Sequence, residues 1–297
     1  MTSEKRKTVS LVLGSGGARG LAHIGVIQEL EKSNYEIRSI SGCSMGALIG
    51  GIYAAGKLAE FEEWVRAVNK IDIITLLDIS WGEGGLVKGD KIINTLIELV
   101  GDKIIEDLSI SFTAIAADVE NEKEVWLNSG KLFDAIRASI SLPLFFTPVE
   151  YKQGYLIDGG VLNPVPIAPT FNDETDITIA VNLGGSPNNN IPLVKTKEPQ
   201  CSCSQPIREN VSRFIKHLQS SVNIGNKKDW DAYDIANQAF DAMQSTISRQ
   251  KLAAYPPDMV IEIARNACGT LEFDRADEMI ELGRSKTQEC LKQAEIS

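Results

Sequence analysis

Histidine is the scarcest reactive side chain in this chain: 297 residues contain only two, His23 and His217. A mechanism resting on an imidazole base has those two candidates and no others. Long apolar runs are also missing. No segment approaches the roughly eighteen uninterrupted apolar residues of a membrane span, and the N-terminal MTSEKRKTVSLVLG has no apolar core long enough for a signal peptide. The expectation is a cytoplasmic protein, free or peripheral to a membrane. An excess of positive charge is absent as well. Thirty Lys and Arg face forty Asp and Glu, a formal net charge of -10, which argues against a nucleic-acid partner. Anionic lipid is repelled on average, although net charge does not decide the character of any one face. The five cysteines form no regular framework and suit a reducing compartment. Cys201 and Cys203 make a lone C-x-C in a polar loop with no histidine or further cysteine nearby, so no metal is expected.

What is present is the composition of a globular protein, 43% apolar and 24% charged. The first half alternates strand-like and helix-like segments, the pattern of a mostly parallel sheet covered by helices. Thr8 to Leu13 reads as a strand ending on Gly14, and Gly20 to Lys32 as a helix with Leu21, Ile24, Ile27 and Leu30 on one face. Ile37 to Ile40 reads as a second strand. Ala47 to Ala55 is a helix apolar nearly all round, hence buried. Helical patterns cover Leu58 to Val68 and Lys91 to Val100, around the loop WGEGGLVKGD. SFTAIAADV, EVWLN, GYLID and DITIAVNLGG read as strands and KLFDAIRASI as a helix. The chain divides into core motifs over 8–185, a polar loop over 186–210 and a mainly helical part over 211–297. That last part holds helices at Val211 to Leu218, Trp230 to Lys251 and Asp274 to Lys292, and a strand, DMVIEIA, able to join the same sheet. A single domain is expected, of α/β class.

Two glycine-rich turns carry the chemistry. In Gly14-Ser15-Gly16-Gly17-Ala18-Arg19-Gly20 a strand runs into a helix. A dinucleotide turn starting at Gly14 would need glycine where Arg19 stands, and a phosphate loop would need a lysine followed by serine or threonine; neither is there. The remaining functional reading is an oxyanion loop, whose backbone N–H groups face a developing negative charge, with Arg19 adding charge or anchoring the loop. A plain strand-to-helix turn is the bland alternative. The second turn shifts the balance: Gly42-Cys43-Ser44-Met45-Gly46 ends a strand and opens a helix, as a nucleophile elbow does.

A serine hydroxyl needs a base. His23 lies in the first turn of the helix after the glycine loop, where a packing or capping role is the commoner one. His217, in SRFIKHLQ, reads as a surface residue. Asp158, in Tyr155-Leu156-Ile157-Asp158-Gly159-Gly160, comes at the end of a strand, where a short side chain can be held rigidly beside a serine.

Taken together, SGGARGLAHIGV, GCSMG and DGGVLNPVP, with ASISLPLFFTPV ahead of the aspartate, resemble the patatin-like phospholipase family over roughly the first 185 residues. The resemblance implies a three-layer α/β/α fold with a mostly parallel central sheet. It implies a lipid acyl hydrolase in which Ser44 is the nucleophile and Asp158 the base, with no histidine, metal or organic cofactor. It further assigns Gly16, Gly17, Ala18, Arg19 and Met45 to the oxyanion hole, built on the backbone around Gly16 and Gly17 with Arg19, and makes Gly42, Gly46, Gly159 and Gly160 the elbow and turn glycines. Ser15 departs from the pattern, standing where many members have the first glycine of the loop. The implied partner is a lipid ester, in solution or at a membrane surface. Acyl transfer on the same fold, or a regulatory protein with little turnover, are the alternatives.

Overall fold

The computed structural model describes residues 6–67, 87–188 and 232–296. Strand β1 (Lys7–Leu13) shows how the layers arise. Leu11 and Leu13 point into the main core, while Val12 joins a smaller apolar cluster with Ala180, Val165 and Ile167. A strand buried on both faces belongs at the centre of a sheet covered on both sides. The other strands are β2 (Tyr35–Cys43), β3 (Ser111–Asp118), β4 (Lys123–Leu127), β5 (Val149–Tyr151), β6 (Gly154–Asp158), β7 (Ile177–Gly185) and β8 (Met259–Ala264). Their order is β5-β6-β3-β2-β1-β7-β8, with β4 pairing β3 off this path. The run from β3 to β8 is parallel; β4, β5 and β6 pair antiparallel.

On the main-core face lie α1 (Ala22–Lys32), α2 (Met45–Ala54), α3 (Leu58–Ala67), α4 (Asp90–Val100), α5 (Leu132–Ser139) and α7 (Ala276–Ile296). The opposite face is covered by α6 (Ala232–Ala254), whose Leu252 packs on the second cluster. The architecture is the expected α/β fold with a mostly parallel central sheet. Helix α2 is buried almost all round, as its uniform apolarity requires. Helices α1 and α7 touch backbone to backbone: a Cβ on Gly25 would lie 1.9 Å from Ile280 O, and one on Gly283 2.0 Å from Ala22 O. Among the described residues no helix is long and apolar enough to cross a membrane.

Several boundaries differ from the sequence reading. Strand β2 runs on past Ile40 to Cys43, because Ser39 to Gly42 are paired on both sides, with β1 and with β3, and Cys43 with β3, and that pairing overrides the low strand propensity of serine and glycine. The helix expected from Gly20 starts as a 3-10 turn at Gly17–Leu21 and becomes α-helical at Ala22. The strand GYLID has a partner that the sequence does not announce: β5 joins it in a tight hairpin turning at Lys152 and Gln153, with Lys152 at φ 55°, and no Asn-Gly pair marks that turn. The final helix begins at Ala276, after a 3-10 turn at Phe273–Arg275. Strand β8 does join the sheet, beside β7. The rest of the polar loop beyond Asn188, the helix at Val211 to Leu218, Cys201, Cys203 and His217 lie outside the described residues, as does most of WGEGGLVKGD.

Candidate active site

Strand register brings the motifs together. Leu13 pairs with Gly42, so the glycine loop and the serine elbow leave the sheet side by side at the C-terminal ends of adjacent parallel strands, the usual place for a site in an open α/β sheet. Cys43 pairs with Ile115, and Ala116 pairs with Asp158. Two consecutive ladders, β6 to β3 and β3 to β2, therefore carry the aspartate to the serine.

Ser44 is the turn itself. It sits between β2 and α2 with φ 55° and ψ -122°, a conformation that costs a non-glycine residue on the order of 1–3 kcal/mol. The flanking glycines make it possible. A Cβ on Gly46 would lie 2.0 Å from Leu13 O, and one on Gly42 2.5 Å from Gly46 O. The hydroxyl donates to Asp158 Oδ2 at 2.5 Å.

Asp158 is fully buried. Its Oδ1 accepts from Gly160 N at 2.7 Å, and its own N–H donates to Ser141 O at 2.9 Å. Burial pushes its pKa up to about 6, although the bonds from Ser44 and Gly160 favour the carboxylate and pull the other way. A weak base is thereby made stronger without losing its charge at neutral pH.

The glycine loop separates into parts. The N–H groups of Gly14, Ser15 and Ala18 donate to Val181 O, Pro164 O and Thr270 O. The last of these corrects the oxyanion set read from the sequence: Ala18 N–H is held at 2.8 Å by a carbonyl from the C-terminal part of the chain and is not free for a substrate oxygen. Among the described residues no backbone partner takes the N–H of Gly16, Gly17 or Met45. The Met45 group is the first of helix α2, one of the donors that a helix leaves open at its N-terminus.

Arg19 is buried, and its guanidinium is committed. It donates to Gly16 O at 3.0 Å and Arg265 O at 2.6 Å, and meets Asp241 at 3.3 Å. These are the bonds of an anchor, tying the loop to β8's exit and to α6. Ser15, the departure from the family pattern, is also tied to α6, accepting at its Oγ from Gln244 Nε2 at 3.1 Å.

His23 is completely buried on α1, with Nε2 at 2.9 Å from Gly14 O. A carbonyl only accepts, so Nε2 carries the proton. The other nitrogen, Nδ1, has no partner, and burial lowers the pKa to about 4 against the opposing pull of Gly14 O. His23 holds the start of the loop and makes no hydrogen bond to Ser44 Oγ.

Sequence reasoning missed Ser139 and Gln244 as parts of this arrangement. Ser139 lies in the ASISLP stretch, where two serines before a proline at a helix end were the available signal. Gln244 is one polar residue among many on α6 and carried none.

A serine elbow beside a glycine loop at the C-terminal edge of a mostly parallel sheet defines the class as an α/β protein with a nucleophile-elbow type of turn. The family model for patatin-like phospholipase matches residues 11–171, and the chain belongs to that family. An uncharacterised NTE family protein of Mycobacterium tuberculosis is 36% identical over 97% of this chain and 92% of its own. A lysophospholipase of Emericella nidulans is 28% identical over 62% of this chain, a stretch that is 12% of that larger protein. Among solved structures, VipD from Legionella pneumophila shares the fold with a TM-score of 0.50 at 14% identity, covering 97% of this chain and 67% of its own.

Proposed function

We propose that this protein is a serine acyl hydrolase that cleaves ester bonds of phospholipids or lysophospholipids through a dyad of Ser44 and Asp158. The observation that carries the reading is the 2.5 Å hydrogen bond from Ser44 Oγ to a buried carboxylate whose basicity is raised. Family membership and the relation to a lysophospholipase support a lipid ester as the substrate.

In this reading Ser44 Oγ attacks the ester carbonyl carbon as its proton passes to Asp158 Oδ2. The carbonyl oxygen becomes an oxyanion, stabilised by the N–H groups of Gly16, Gly17 and Met45 and by the N-terminal end of α2. Collapse breaks the bond to the leaving alcohol, which takes the proton from Asp158. A water, deprotonated by the same carboxylate, then attacks the acyl-serine and releases the fatty acid with Ser44 restored. Arg19 keeps the loop in place from behind.

The test is a panel of phosphatidylcholine vesicles and lysophosphatidylcholine, with released fatty acid followed by mass spectrometry. Fatty acid should appear with the parent protein and not with Ser44→Ala. Release by Ser44→Ala at the parent rate would end the reading. Transfer of the acyl group to an added alcohol far in excess of release to water would make the protein an acyltransferase instead.

A further inference from the structure

We infer that Ser139 is a positioning residue for the nucleophile, holding Ser44 in its strained elbow conformation by accepting a hydrogen bond from the Ser44 N–H. The inference rests on the proposed serine chemistry and extends it to a residue outside the dyad.

Ser139 ends α5 and is fully buried. Its hydroxyl has two partners of opposite kind: it accepts from Ser44 N at 2.9 Å and donates to Ile115 O at 2.5 Å. Since Ile115 O can only accept, the hydroxyl proton must point to it, which leaves the oxygen lone pair for Ser44. The hydroxyl is thus fixed in rotation by β3 and turns its acceptor side to Ser44.

That place matters because of the backbone at Ser44. At φ 55° the residue leaves the β2 ladder, and although its carbonyl accepts the first α2 bond from Leu48 N–H, its own N–H needs a partner from elsewhere. Without Ser139 that buried donor would be orphaned, and rotation of the Cys43–Ser44 peptide would relieve it. Rotation would carry Oγ away from Asp158.

The same segment holds the other half of the dyad. Ser141 O accepts the Asp158 N–H, and the Ile115 carbonyl bonded by Ser139 packs so closely on the residue after the aspartate that a Cβ on Gly159 would lie 2.2 Å from it. The segment Ser139–Ser141, where α5 ends, therefore bonds the backbone of both the nucleophile and its base.

The experiment uses the full chain and a fluorophosphonate probe, reading two quantities: the rate constant of labelling and the stoichiometry at completion. Ser139→Ala should label completely but roughly ten- to a hundred-fold more slowly, the cost of a nucleophile displaced by a fraction of an ångström to an ångström. Ester hydrolysis should show the loss in kcat with KM little changed. Ser10→Ala, which removes another fully buried, hydrogen-bonded hydroxyl in β1, controls for lost stability and should label at the parent rate. If Ser139→Ala does not fold, Ser139→Cys, of similar shape but a weaker donor and acceptor, takes its place with the same slow, complete labelling expected. A rate constant within about two-fold of the parent, or a loss confined to stoichiometry, would overturn the inference. Labelling of Ser44→Ala would instead refute the serine mechanism, so the two failures are told apart.

Discussion

Ser44 and Asp158 are 114 positions apart in the chain, yet the serine hydroxyl donates to the carboxylate at 2.5 Å with water excluded from the aspartate. In the proposed dyad the serine proton passes to this carboxylate and not to an imidazole. As the carboxylate is the reactive form and its pKa lies near 6, the rate of ester hydrolysis should rise with pH through about 6 and level off above it. A profile of kcat/KM against pH checks this. A plateau extending unchanged down to about pH 4.5 would show that Asp158 does not govern the rate.

Asp158→Asn should lower kcat by about 10²- to 10⁴-fold, since an amide cannot accept the proton. The same change should stabilise the fold. The folded-state pKa is raised, so below about pH 4 aspartic acid is protonated in both states and costs nothing. As pH rises through about 6 the folded protein must ionise a buried group, and stability is lost. The asparagine variant avoids that cost, on the order of 2–3 kcal/mol above pH 7. Thermal melts at several pH values should show an advantage that grows from acid to neutral pH. An advantage growing in the opposite direction would reverse the assignment of the shift.

His23→Gln tests the histidine alternative. The variant loses a fully buried ring and its bond to Gly14 O, so a stability loss of about 1–3 kcal/mol is expected. The folded fraction should still label to completion with a fluorophosphonate, as should His217→Gln. Activity lost as completely as in Ser44→Ala, in protein that still melts cooperatively near the parent temperature, would call for a histidine base.

The junction of α1 with α7 ties the C-terminal helix to the helix that follows the glycine loop. Gly283→Ala places a methyl 2.0 Å from Ala22 O, a backbone atom that cannot swing aside. The helices must separate, at about 1–3 kcal/mol. Chemical denaturation should register the loss; an unchanged midpoint would mean that the helices accommodate the methyl.

Much of this site was legible because glycines punctuate it. Gly42 and Gly46 frame Ser44, and Gly159 follows Asp158, for reasons of close contact that any sequence with these turns must satisfy. What was not legible depends on segments distant in the chain. Ala18 belongs to the glycine loop by sequence, but Thr270 takes its N–H. Arg19 was equally suited to stabilising an oxyanion or anchoring the loop until Arg265 O and Asp241 supplied its partners. Ser139 becomes a partner of Ser44 only because β3 pairs with β2 and α5 packs against them, and no local periodicity carries that. The parallel core strands and β6 are legible in their apolar residues, while β5, three residues long and only half buried, is too short to show a pattern.

Peptide mapping by mass spectrometry after fluorophosphonate treatment, run in parallel on the parent and on Asp158→Asn, tests the dyad most directly. The parent should carry a single adduct on the peptide containing Ser44, formed at a rate that rises with pH through about 6. Asp158→Asn should form the same adduct far more slowly and without that rise. An adduct on any other residue, or a Ser44 adduct formed in Asp158→Asn at the parent rate, would contradict a mechanism in which Asp158 takes the serine proton.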